Sequence, residues 1–102
     1  MAEEFIRKIS DRKGVRMLAL FYLTDNSRFG TDVPLLDMAD HFSVHPSSIS
    51  NALDPLIEDS YFSTCLERKK FRNIVTYRIN NTESGEAIKK FFDTARGTYN
   101  KS

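Results

Sequence analysis

The sequence predicts a mainly α-helical domain with one small β-hairpin, an α+β chain whose 102 residues form a single unit. Three observations predict it. Apolar residues recur at helical spacing along most of the chain, while residues 61–79 switch to an alternating pattern. Between the periodic segments lie clusters of Gly, Pro, Ser and Asn that read as loops. A chain of this length builds one modest core and not two.

The first segment, "AEEFIRKISD", sets Phe5, Ile6 and Ile9 on one helical face. Gly14 marks a break, and "VRMLALFYLTD" follows as a strongly apolar, mostly buried helix. "NSRFGTD" is a loop. Pro34 suits a first helical position, where its missing N–H is no loss. The helix "PLLDMADHF" is expected to bury Leu36, Ala39 and Phe42 and to show Asp37, Asp40 and His41 to solvent. "SVHPSS" turns the chain, and Pro46 opens a helix over residues 46–59, with Ile49, Leu53, Leu56 and Ile57 as a one-sided stripe. Pro55 removes the hydrogen bond to the carbonyl of Asn51, so a kink or early loosening is expected there.

In "YFSTCLERK" Phe62, Thr64 and Leu66 alternate, and in "NIVTYRIN" Val75, Tyr77 and Ile79 do the same. These are two strands of a hairpin whose tip is "RKKFRN". The alternation places Cys65 on the outer side. "NNT" signals a helix start, and "ESGEAIKKFFDTARGTY" carries Ile88, Phe91, Phe92, Ala95 and Tyr99 on one face.

The net charge of +1 conceals segregation. Residues 1–28 sum to +2, residues 29–66 hold six acids and no base, and residues 67–78 sum to +4. The distribution, rather than the total, bears on partners. No apolar run approaches the roughly 20 residues of a membrane span, and the N-terminus lacks a signal-peptide core, so a cytoplasmic location is expected. Cys65 is the only cysteine, which excludes an internal disulfide. Asp37, His41 and His45 have the spacing of a ligand row, but the turn at 43–45 breaks the helix before His45, and no metal site is expected. Without a Gly-rich phosphate loop, a nucleophile–base motif or H-E-x-x-H, neither an enzyme nor a cofactor is expected.

A helix-turn-helix followed at once by a hairpin is a winged helix. The spacing agrees: Ala39 permits a close helix crossing, Val44 plugs the turn, and Ile49, Leu53 and Leu56 seat the second helix. The winged core covers residues 14–82, flanked by terminal helices at 1–13 and 83–102. "LLDMADHFSVHPSSISNALDPLIEDSYFS" with "VTYRINNTESGEAI" resembles the winged-helix transcription regulators of the MarR and PadR type, over roughly residues 14–88. The resemblance implies that the helix at 46–59 enters the major groove, that the hairpin at 66–75 acts as the wing, and that the terminal helices form a homodimer. Here the chain departs from the family: Ser43 and Ser60 stand where Gly is usual, Gly85 falls two residues late, and the recognition helix carries Asp54, Glu58 and Asp59 but no Lys or Arg.

Base contacts come from the start of a recognition helix, which here presents Ser47, Ser48, Ser50 and Asn51, with His45 just before it. Positive charge lies instead in the hairpin, at Arg68, Lys69, Lys70 and Arg72, with Phe71 available as a minor-groove wedge. The expected function is therefore a dimeric, sequence-preferring binder of double-stranded DNA that regulates transcription. Dimer contacts are expected from Phe5, Ile6, Ile9, Ile88, Phe91, Phe92 and Tyr99, an apolar surplus at both chain ends. The alternative is a winged helix that binds a protein through the acidic 29–66 face.

Overall fold

The computed structural model describes residues 14–100, with side chains to residue 97. The helix expected over 1–13, including Phe5, Ile6 and Ile9, and the side chain of Tyr99 lie outside the described residues. The order is α1 (Val15–Leu23), β1 (Val33–Pro34), α2 (Leu35–Phe42), α3 (Pro46–Ile57), a 3-10 turn (Phe62–Thr64), β2 (Leu66–Phe71), β3 (Ile74–Ile79) and α4 (Glu83–Asn100). The strands form one antiparallel sheet in the order β1–β3–β2, so the chain is α+β as expected.

β1 is short and carries little sequence signal. Val33 pairs with Tyr77, and Pro34 with Thr76. Pro34 is extended (φ −63°, ψ 137°) and caps α2 rather than opening it; a residue without an N–H is tolerated on an edge strand. Starting one residue later, α2 places Leu35, Met38, Ala39 and Phe42 toward the core, at i, i+3, i+4 and i+7. Leu36 falls off that stripe and is 62% exposed, contrary to the expectation that it is buried. Asp37, Asp40 and His41 are exposed as expected.

The turn between α2 and α3 puts Ser43 in the left-handed region (φ 56°), where glycine is easier. Val44 N–H then donates to the Ala39 carbonyl at 3.0 Å, and the Val44 side chain packs on the core. α3 buries Ile49, Ala52, Leu53 and Leu56 and ends two residues after Pro55. A buried Arg16 ties α1 to it, Nε donating to the Ala52 carbonyl at 2.7 Å.

The strand expected to begin near Phe62 starts at Leu66. Before it, the Asp59 carboxylate accepts the backbone N–H groups of Tyr61 and Phe62, at 2.8 and 3.2 Å, and holds the 3-10 turn. That turn changes the phase of the side chains: Thr64 is exposed and Cys65 is buried, the reverse of the alternation read from sequence. Burial pushes the Cys65 thiol pKa up. In β3 the alternation holds, with Tyr77 and Ile79 buried.

α4 is joined to the sheet through Gly85, where a Cβ would lie 1.9 Å from the Asn80 carbonyl oxygen. Thr82 caps this helix, its Oγ1 accepting from Gly85 N–H at 3.2 Å. Farther along, Arg96 donates to the Phe21 carbonyl and to Thr24 Oγ1 at the end of α1. No helix among the described residues is long and apolar enough to cross a membrane.

Candidate nucleic-acid interface

α3 is amphipathic, so burying Ile49, Ala52, Leu53 and Leu56 leaves Ser47, Asn51, Pro55 and Glu58 exposed along the opposite face. Asn51, Asp54, Pro55 and Glu58 line an open cleft there. His45 caps the helix: its Nδ1 accepts from Ser47 N–H at 3.1 Å and lies 2.8 Å from the Ser47 hydroxyl. With Nδ1 as acceptor, the neutral ring carries its proton on Nε2. Ser50 Oγ donates to the Ser47 carbonyl at 3.2 Å. Ser48 is half-buried, and the exposed Asn51 carboxamide has no partner among the described residues. The start of α3 is a poor phosphate cradle. Pro46 has no N–H, that of Ser47 goes to the His45 ring, and that of Ser48 goes to the His45 carbonyl at 2.9 Å.

The hairpin is longer and narrower at its tip than expected. Arg68, Lys69 and Lys70 lie within β2, and the tip is the two residues Arg72 and Asn73. Register partners share a face. The pairs Leu66–Ile79, Arg68–Tyr77 and Lys70–Val75 therefore lie on the core side, and Glu67–Arg78, Lys69–Thr76 and Phe71–Ile74 on the outer side. The four cations consequently differ. Arg68 Nε lies 3.6 Å from Asp54 Oδ1 on α3, and Lys69 Nζ lies 3.6 Å from Asp32 Oδ2. Lys70 and Arg72 have no ion-pair partner among the described residues. Arg72 sits in the left-handed region (φ 59°), a turn position that glycine or asparagine would occupy without strain. Its guanidinium lies 5.3 Å from the Phe71 ring centroid.

Two acids of the 29–66 segment are engaged by side chains of the sheet. Tyr77 donates its hydroxyl to Asp54 Oδ1 at 2.6 Å, the same oxygen that Arg68 approaches. Burial, and then the Asp54 carboxylate, push the tyrosine pKa well above its usual range. Asp32 accepts from Arg78 Nε at 3.0 Å, and that hydrogen bond holds its carboxyl below the ordinary value. With Asp59 used in the 3-10 turn, the acidic face reduces to Asp37, Asp40 and Glu58. No sequence pattern marked the Tyr77–Asp54–Arg68 contact; the one signal was a tyrosine on the buried phase of a strand, whose hydroxyl needs a partner.

Phe71 is not folded back: it is 71% exposed. With Ile74, its register partner, at 58% and Leu36 beside Ile74 across a small cleft, it forms an apolar strip on the outer side of the hairpin. The residues expected to form a dimer are placed differently. Ile88 and Phe92 are 0% and 1% exposed within the core, and Phe91 is half-buried against it, so Ile88 and Phe92 are not free to meet a second chain. Among the described residues, Leu18 and Phe21 of α1 are exposed large apolar residues on the helical side. Arg16, one of the basic residues of the 1–28 segment, is buried. Comparison with protein-family models, curated proteins and solved structures found no match.

Proposed function

We propose that the chain is a winged helix that binds duplex DNA, with α2 and α3 as the helix-turn-helix and the β2–β3 hairpin as the wing. The observation that carries the reading is the placement of charge at the tip. An arginine occupies a left-handed turn position where it costs conformational energy, without an ion-pair partner among the described residues and next to an exposed phenylalanine. Lys70, nearby on β2, is a second cation with no ion-pair partner among the described residues. Asn51 offers a carboxamide without a partner among the described residues on the exposed face of α3, suited to pairing with adenine in a major groove. Phosphate attraction then comes from the wing, and base preference from Asn51 with Ser47, Ser48 and the Nε2–H of His45. A role in transcription regulation, as a dimer, extends this reading; its apolar contact surface on the helical side is Leu18 and Phe21.

The test is fluorescence anisotropy on labelled duplexes across a salt series. Lys70→Gln with Arg72→Gln should weaken binding to every sequence and flatten the log-affinity against log-salt line by about two ion equivalents. Asn51→Ala should instead lower discrimination between preferred and random duplexes, by about 1–3 kcal/mol per lost base pairing. Wild-type protein that ignores duplex DNA at low salt overturns the proposal. The strip of Leu36, Phe71 and Ile74 favours a protein-binding reading on a surface other than the acidic 29–66 face, which prevails if substitutions there abolish a protein contact while DNA affinity is absent throughout.

A further inference from the structure

The exposed face of α3 bears acids but no cation, which should repel a DNA backbone. The geometry around Asp54 resolves the difficulty. Oδ1 accepts a short hydrogen bond from Tyr77, a fully buried residue whose hydroxyl reaches the helix. The same oxygen is approached by Arg68 from the neighbouring strand, at 3.6 Å and outside hydrogen-bond distance. Both side chains of that ion pair are well exposed, at 39% and 46%. Asp54 is thus held firmly by Tyr77 and loosely by Arg68. A half-exposed pair at this separation contributes little and is easily exchanged. A phosphate, by contrast, can take a guanidinium through two parallel hydrogen bonds.

We propose that Asp54 is a positioning residue that keeps Arg68 parked against α3 and yields it to a backbone phosphate when duplex DNA docks. The proposal rests on the DNA-binding reading and adds a cost to every non-specific encounter, because Arg68 must leave an acid before it meets a phosphate. Lys70, two residues on and on the same side of the hairpin, has no such partner among the described residues and makes the first contact.

The experiment is a double-substitution cycle with Asp54→Asn and Arg68→Gln, read by anisotropy on a random duplex. Asparagine keeps an oxygen for Tyr77, so the fold is retained, and matched melting curves check this. Asp54→Asn should steepen the salt line by about one ion equivalent, close to a 3-fold larger loss of affinity over a roughly fourfold rise in salt. In the Arg68→Gln background that change should vanish. Glu58→Gln removes an equal charge from an acid with no ion-pair partner among the described residues, and its effect should be the same in both backgrounds. A gain from Asp54→Asn that survives Arg68→Gln is simple repulsion and overturns the exchange, as does no change in either background. Elution from heparin repeats the cycle on a polyanion without bases. Coupling on heparin with no duplex binding supports the exchange and rejects the DNA reading; no coupling on either probe rejects the exchange.

Discussion

Two of the described residues stand in left-handed backbone without being glycine, and substituting them separates stability from binding. Ser43 closes α2 at φ 56°, and Arg72 turns the hairpin at φ 59°. A non-glycine residue pays roughly 1–2 kcal/mol for that conformation. Glycine removes the strain but returns about 0.5–1 kcal/mol of chain entropy to the unfolded state. Ser43→Gly keeps the backbone N–H that donates to the Asp40 carbonyl at 3.2 Å, so nothing else is lost. Its net gain is about 0.5–1 kcal/mol, which raises the melting temperature by roughly 3–6 °C for a domain of this size. Arg72→Gly gains less, about 0–0.5 kcal/mol, because the exposed contact with Phe71 goes too. The readouts are circular-dichroism melts and the anisotropy salt series. Ser43→Gly should melt higher with an unchanged salt line. Arg72→Gly should melt no lower than wild type, yet flatten the line by about one ion equivalent. If Arg72→Gly leaves the salt line unaltered, the tip arginine has no phosphate to meet and the strain at residue 72 has no functional explanation. If Ser43→Gly melts lower, the strain account itself is wrong.

Other consequences follow from packing. Phe92→Asp should unfold the chain, at about 4 kcal/mol or more, because the ring is buried in the core; a folded monomer with wild-type melting would restore Phe92 to a dimer surface. Gly85→Ala should cost about 2–3 kcal/mol, since its methyl meets a backbone carbonyl that cannot rotate away, and urea unfolding would register the shift. Cys65 should react with thiol reagents only as fast as the protein opens, being 1% exposed with a raised pKa; labelling at the rate of a free thiol in native buffer would contradict its placement.

The sequence by itself determined the α+β class, the helices at α1, α2, α3 and α4, and the β2–β3 hairpin. These elements are local: a stripe such as Ile49, Leu53 and Leu56, or the alternation of Val75, Tyr77 and Ile79, declares its own period within a few residues. Exposed polar positions such as Asn51 follow from the same stripe. Tertiary structure alone decided the rest. The two-residue β1 exists only because β3 offers Thr76 and Tyr77 as partners, and it moved the start of α2 by one residue and put Leu36 in solvent. The carboxylate of Asp59 converted an expected strand into a 3-10 turn and turned Cys65 inward. Ile88 and Phe92, surplus when counted along the chain, are needed once α4 closes over the core. The pairing of Arg68 with Asp54 and of Lys69 with Asp32 divides a run of like charges into members with and without an ion-pair partner among the described residues. A charge run in a sequence carries only its sign, because which cation is free depends on acids brought from 14 and 37 positions away.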